Sequence, residues 1–144
     1  MVKFTVASLL VVAVAAISST SMAAPIKPVD KASSDVFSSS VKYSGRATWF
    51  TGGYGACNMS WDADSEAIVA LNAHQMGAAS WGNPVCNKRV TITNKENGKT
   101  INARIVDKCP GDECAWGSLD LSPAAFKQLG HLDKGVLSIE WHYV

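Results

Sequence analysis

The chain has no surplus of charge of either sign, since 13 Lys and Arg stand against 12 Asp and Glu over 144 residues, a formal net charge of +1. Without a basic excess there is little to neutralise phosphates or anionic lipid, so nucleic-acid binding is disfavoured. The charges are also scattered, with Lys88-Arg89 and Asp112-Glu113 the adjacent like pairs of interest, and both read as solvated loop or strand face. No glycine period and no internal repeat is present, which excludes a collagenous or solenoid chain. The one long apolar run, Phe4 to Ile17, is too short to span a bilayer comfortably. Histidine is scarce: His74, His131 and His142 show no metal-ligand pairing with each other or with the cysteines, so neither a metal nor an organic cofactor is expected. What is present is a composition of 47% hydrophobic and 17% charged residues with five Trp and four Cys, the profile of one small globular domain.

Lys3 followed by the apolar run, then small polar residues and Ser21-Met22-Ala23, reads as a secretory signal peptide over residues 1–23. Residues 24–42 are rich in Ser, Ala and Lys, with little to bury, and read as a disordered leader before a folded domain over 43–144. A secreted, extracellular or wall-associated protein is therefore expected. All four cysteines, Cys57, Cys86, Cys109 and Cys114, fall inside the folded part, and an oxidising compartment makes two disulfides the default. The short Cys109–Cys114 spacing permits a local clip, leaving Cys57 with Cys86 to close a longer loop. Spacing alone leaves all three connectivities open.

Short β-rich segments dominate: Arg46 to Thr51, Arg89 to Thr93, Thr100 to Val106 and Val136 to Tyr143. In the last, Leu137, Ile139, Trp141 and Tyr143 share one face and Ser138, Glu140 and His142 the other. Asn97-Gly98 predicts a hairpin turn between the second and third. Ser122, Pro123 and Gly130 bracket one short helix, while Ile68 to Met76 fits a strand or a helix equally. The sum is a mainly β chain with one or two short helices, consistent with a small barrel.

Candidate chemistry concentrates in three stretches. The first, Gly45 to Cys57, is a strand running into a glycine-rich loop with Trp49 and Tyr54, and its glycines lack the phosphate-binding spacing. The second, Ile105 to Cys114, is a strand that ends at Asp107 beside a cysteine loop. The third is Ser118-Leu-Asp120-Leu-Ser-Pro. Asp107 and Asp120 directly follow apolar segments, where a carboxylate is held as an acid or hydrogen-bond acceptor. Asn58-Met-Ser60 is an N-glycosylation sequon.

Taken in order, Gly45-Arg-Ala-Thr-Trp-Phe50, Gly55-Ala-Cys57, Ile68-Val-Ala-Leu71, Val90-Thr-Ile-Thr-Asn94, Val106-Asp-Lys-Cys-Pro110 and Leu119-Asp-Leu-Ser-Pro-Ala-Ala-Phe126 resemble the double-psi β-barrel of expansin-like proteins. The resemblance is to the fungal single-domain loosenin-like group in particular, and extends to the rare lipoprotein A domain, barwin and the family-45 endoglucanases. It covers Tyr43 to Val144. It implies a six-stranded barrel with a shallow polysaccharide groove, a polar cluster of Thr48, Asp107 and Asp120, and a platform drawn from Trp49, Tyr54, Trp61, Trp81 and Trp116.

In the hydrolase relatives the acid of the Leu-Asp-Leu motif is the general acid, and a second carboxylate soon after the first strand is the base. Here that neighbourhood reads Thr48-Trp49-Phe50-Thr51, with no carboxylate, so little or no hydrolysis is expected. The expected function is that of a non-hydrolytic protein that binds wall polysaccharide, such as cellulose or chitin, and loosens it. The alternatives are a barwin-like protease inhibitor or host-interaction protein using loops around Tyr54 and Trp81, and a weak endoglucanase or lytic transglycosylase acting through Asp120.

Overall fold

The computed structural model describes residues 36–144. The expected signal peptide and the leader through residue 35 lie outside the described residues. Six strands, β1 Tyr43–Trp49, β2 Ile68–Asn72, β3 Arg89–Asn94, β4 Thr100–Cys109, β5 Leu119–Leu121 and β6 Leu137–Tyr143, close into a barrel in the order β1-β5-β2-β4-β3-β6. Helix α1 is Ala73–Met76 and α2 is Pro123–Leu129, followed by a 3-10 turn at Leu132–Lys134. β1 with β5 and β2 with β4 are parallel pairs, and the other four contacts are antiparallel. The disulfides are Cys57–Cys86 and Cys109–Cys114.

Local chemistry accounts for these boundaries. In β6 the alternating residues Leu137, Ile139, Trp141 and Tyr143 are all buried. The ambiguous Ile68 to Met76 contains both structures, because the buried Asn72 side chain accepts the Gln75 N–H at 3.0 Å and caps α1 directly off the strand. α2 starts as expected, with Ser122 Oγ accepting the Ala125 N–H at 3.2 Å. Two differences from the sequence reading bear on the site. β4 runs on to Cys109, so Asp107 lies within a strand rather than at its end. Leu119–Leu121, read only as a motif, is a barrel strand.

The barrel interior is filled by the inward rows, among them Ala47, Val69, Leu71, Ile105, Leu119, Leu121 and Trp141, and Phe126 and Leu129 of α2 are buried in the same cluster. Where β1 passes the segment leading into β5, Gly45 and Gly117 meet backbone to backbone. A Cβ on Gly45 would overlap the Gly117 carbonyl, and Gly117 has a φ of +80°. Upstream of the expected boundary, Phe37 packs edge-on to Tyr143 with centroids 5.0 Å apart, and Lys88 Nζ lies 5.2 Å from its ring centre. The packed unit therefore takes in Phe37, which one aromatic in a Ser-rich run did not signal.

Candidate functional site

Strand register assembles the polar cluster. Thr48 of β1 pairs with Asp120 of β5, Asp120 pairs with Ala70 of β2, and Ala70 pairs with Asp107 of β4. These four residues form one row across adjacent strands. Because side chains alternate, their neighbours Ala47, Leu119, Leu121, Val69 and Leu71 point into the core, and the row faces outward. Thr48 Oγ1 donates to Asp120 Oδ1 at 2.7 Å. Asp120 is half-buried, and desolvation holds its carboxyl above the usual carboxylate value; the Thr48 hydroxyl opposes this shift and the charge of Glu113 reinforces it, ahead of that of Asp107.

Asp107 reaches this face through an irregularity. The β2–β4 register slips between Val69 and Ala70, so that Val69 opposes Ile105 while Ala70 opposes Asp107, with Val106 as the extra residue. Without the bulge Ala70 would face Val106, and the acid would turn to the other side of the strand. Asp107 Oδ1 accepts the Ala56 N–H at 2.7 Å and the Lys108 N–H at 2.8 Å. A Cβ on Gly55 would overlap the Asp107 carboxyl, so the glycine loop lies directly on this acid. The geometry makes Asp107 the anchor of the Tyr54 loop.

The aromatic candidates divide. Tyr54 and Trp81 line one cleft of about 420 Å³, floored by Gly55 and Ala56 and edged by Asn58 and Ser80, with the rings 63% and 77% exposed. The Tyr54 hydroxyl contacts the Asn58 side chain, and Asn58 itself is exposed in a turn with φ +56°. The Cys57–Cys86 disulfide ties the two loops of this cleft together, and the buried Asn83 side chain bonds to Met76, Ala79 and Val85 backbone to brace the second.

Trp61 is a correction: it is 7% exposed, packed with Ile68 and Val106 and edge-on to Phe50, so it offers no face to a ligand. Trp49 is a second correction. Its register partner is the core residue Leu121, and its indole N–H donates to the Leu132 carbonyl at 3.2 Å, which places it on the face opposite Thr48 at the barrel end. Trp116 is 61% exposed in the loop before β5. The aromatic that does share the Thr48 side is Phe50, two residues on, packed over Ala70 and the Cys109–Cys114 disulfide. Strand parity was the signal that could have found it. Glu113, set aside as a solvated charge, is the other omission.

A closed barrel with two parallel strand pairs, an outward Thr–Asp pair and a disulfide-braced aromatic loop defines a double-psi β-barrel of the expansin-like class. Residues 42–141 match the family described as lytic transglycolase, and the chain belongs to this family of rare lipoprotein A-like barrels. The chain is 40% identical over 106 residues to the papain inhibitor of Streptomyces mobaraensis, covering 72% of each. A solved Streptomyces papain inhibitor superposes with a TM-score of 0.65 at 38% identity, covering 73% of this chain and 96% of the other. A Clavibacter michiganensis expansin solved with cellohexaose gives a TM-score of 0.60 at 28% identity, covering 72% of this chain but 50% of the other. The Asp f 7 allergen homologue of Arthroderma benhamiae is 33% identical, and the match spans 69% of this chain and 38% of that protein.

Proposed function

We propose that the protein is a secreted, non-hydrolytic polysaccharide-binding protein that lays a glycan chain across the outward row and loosens its packing against neighbouring chains. The row of Thr48, Asp120, Ala70 and Asp107, leading to the Tyr54–Trp81 cleft, is the observation that carries this reading. Aromatic faces pack on the apolar faces of sugar rings, and Asp120 with Thr48 competes for the hydrogen bonds that join glycan chains. Inverting hydrolysis needs an acid and a free base flanking the bond. In this reading Asp107 serves to hold the Tyr54 loop through Oδ1, and with no carboxylate in Thr48-Trp49-Phe50-Thr51 Asp120 acts without the base of the hydrolase pattern. The expansin solved with cellohexaose supports a glycan ligand for this barrel type. The two disulfides fit an oxidising compartment.

A second reading is protease inhibition. It is favoured by the 40% identity to a papain inhibitor over 72% of each chain, and it would use the Tyr54–Trp81 loops as the interface.

Depletion of the purified mature protein by insoluble cellulose, chitin, xylan and peptidoglycan separates the two. Saturable retention on one polymer, weakened by Trp81→Ala and with loosening abolished by Asp120→Asn, is the expected result. Retention on none, together with papain inhibition that survives Asp120→Asn, would establish the inhibitor instead. Asp120-dependent release of oligosaccharide would overturn the non-hydrolytic assignment.

A further inference from the structure

Behind the row, at the end of the barrel where Trp49 emerges, lies a pocket of about 670 Å³ formed by the β3–β4 hairpin, the end of α2 and the 3-10 turn. Lys99, Lys127, Lys134 and His131 line it against one carboxylate, Asp133, and the apolar Leu132. Lys134 is paired with Glu96, and His131 with Asp133. Lys99 and Lys127 have no ion-pair partner among the described residues. In a chain with only 13 basic residues and a formal net charge of +1, the two unpaired lysines at this one concavity, Lys99 and Lys127, leave it with a local positive potential. The carbonyl of Leu132, part of the pocket wall, accepts the indole N–H of Trp49, which ties that ring, 37% exposed, to the edge of the pocket.

We propose that this pocket is a second binding site, for a carboxylate borne on a glycan. Lys99 and Lys127 would take the carboxylate, and Trp49 would stack on the sugar that carries it. The anion chemistry follows from the lysines alone; the choice of a sugar as carrier rests on the polysaccharide reading above. The carboxylate could belong to a uronic acid of the glycan backbone or to a peptide substituent on it.

Binding of the mature protein to soluble polygalacturonate, compared with the same polymer methyl-esterified, tests the anion directly, and purified peptidoglycan before and after amidation of its carboxyls is the second arm. One acidic polymer is expected to bind roughly tenfold more tightly than its neutralised form, as two partly solvated charge pairs imply. The preference should shrink as salt rises toward physiological strength. Lys99→Glu with Lys127→Glu should remove it, and the milder Lys99→Gln with Lys127→Gln should reduce it, while retention on a neutral polymer is unchanged. Preference in the first arm assigns a uronate, and preference in the second alone assigns the peptide carboxylate. Equal binding of charged and neutralised polymers, or a preference intact in both lysine variants, overturns the site. If neutral-polymer retention persists in that case the row still stands, whereas wild-type protein that binds no polymer of either kind overturns both.

Discussion

Asp120 sits where burial and the charge of Glu113 push its carboxyl to hold a proton more tightly than in the unfolded chain. A raised folded value means that the folded state binds more protons between the ordinary carboxylate value and the raised one. The group's stability contribution is complete below the unfolded value and is lost as pH rises through the folded value. At neutral pH the ionised Asp120 therefore lowers stability. Asp120→Asn keeps the acceptor for Thr48 and should raise stability at pH 7 by roughly 0.5 kcal/mol after solvent screening, or about 2–4 °C in Tm for a domain of this size. The gain should vanish below about pH 4, where the carboxyl is neutral in both states. Thermal scans of both proteins across that range check it. A variant less stable at pH 7 would mean that Thr48 and the backbone stabilise the charged form more than burial opposes it.

At the scale of elements, the two disulfides divide the labour of the loops. Cys57–Cys86 closes a separation of 29 residues, and loop-closure entropy alone makes that worth about 3.6 kcal/mol, against about 2 kcal/mol for the separation of 5 in Cys109–Cys114. Replacing Cys57 and Cys86 by Ser should lower the urea midpoint accordingly. It should also weaken ligand binding that depends on Tyr54 and Trp81, because both cleft walls lose their tie, and leave binding that depends on Lys99 intact. A binding loss no different at the two places would signal general unfolding. Element by element, the sequence was informative where chemistry is local: the alternation in β6, the Ser122 cap and the Asn97-Gly98 turn. It was silent where a tertiary irregularity decides. The bulge at Val106 turns Asp107 onto the Asp120 face, and no periodicity in Ile105-Val-Asp107 announces it. In the Thr-Trp-Phe run the two-residue alternation from Thr48 already favours Phe50 over Trp49, and the pairing of Trp49 with Leu121 bears that parity out. Trp61, one of five tryptophans, gave no sign of its burial because flanking Ser60 and Asp62 are polar.

Across the whole molecule, the row and the cleft adjoin at Asp107, whose carboxylate accepts the N–H of the cleft residue Ala56. Thr48 to Asp107 crosses three inter-strand spacings, about 14 Å at the usual 4.8 Å each, and the loop carrying Tyr54 begins where Asp107 grips Ala56. A ligand gripped by the Thr48–Asp120 pair must therefore be an oligomer before it can also touch Trp81. Affinity for soluble oligosaccharides of the retained polymer should rise with chain length until the cleft is filled and then level off, since further sugars meet only solvent. Trp81→Ala, on a ring 77% exposed and thus dispensable to folding, should move the plateau to shorter chains and leave the affinity of the shortest ligands unchanged. Calorimetric titration of a length series against both proteins reads this directly. An affinity independent of length in the wild type would mean that one sugar is held and that the Tyr54–Trp81 cleft serves a different ligand. In that event the papain-inhibitor likeness makes a protein surface the first alternative to test at the same two rings.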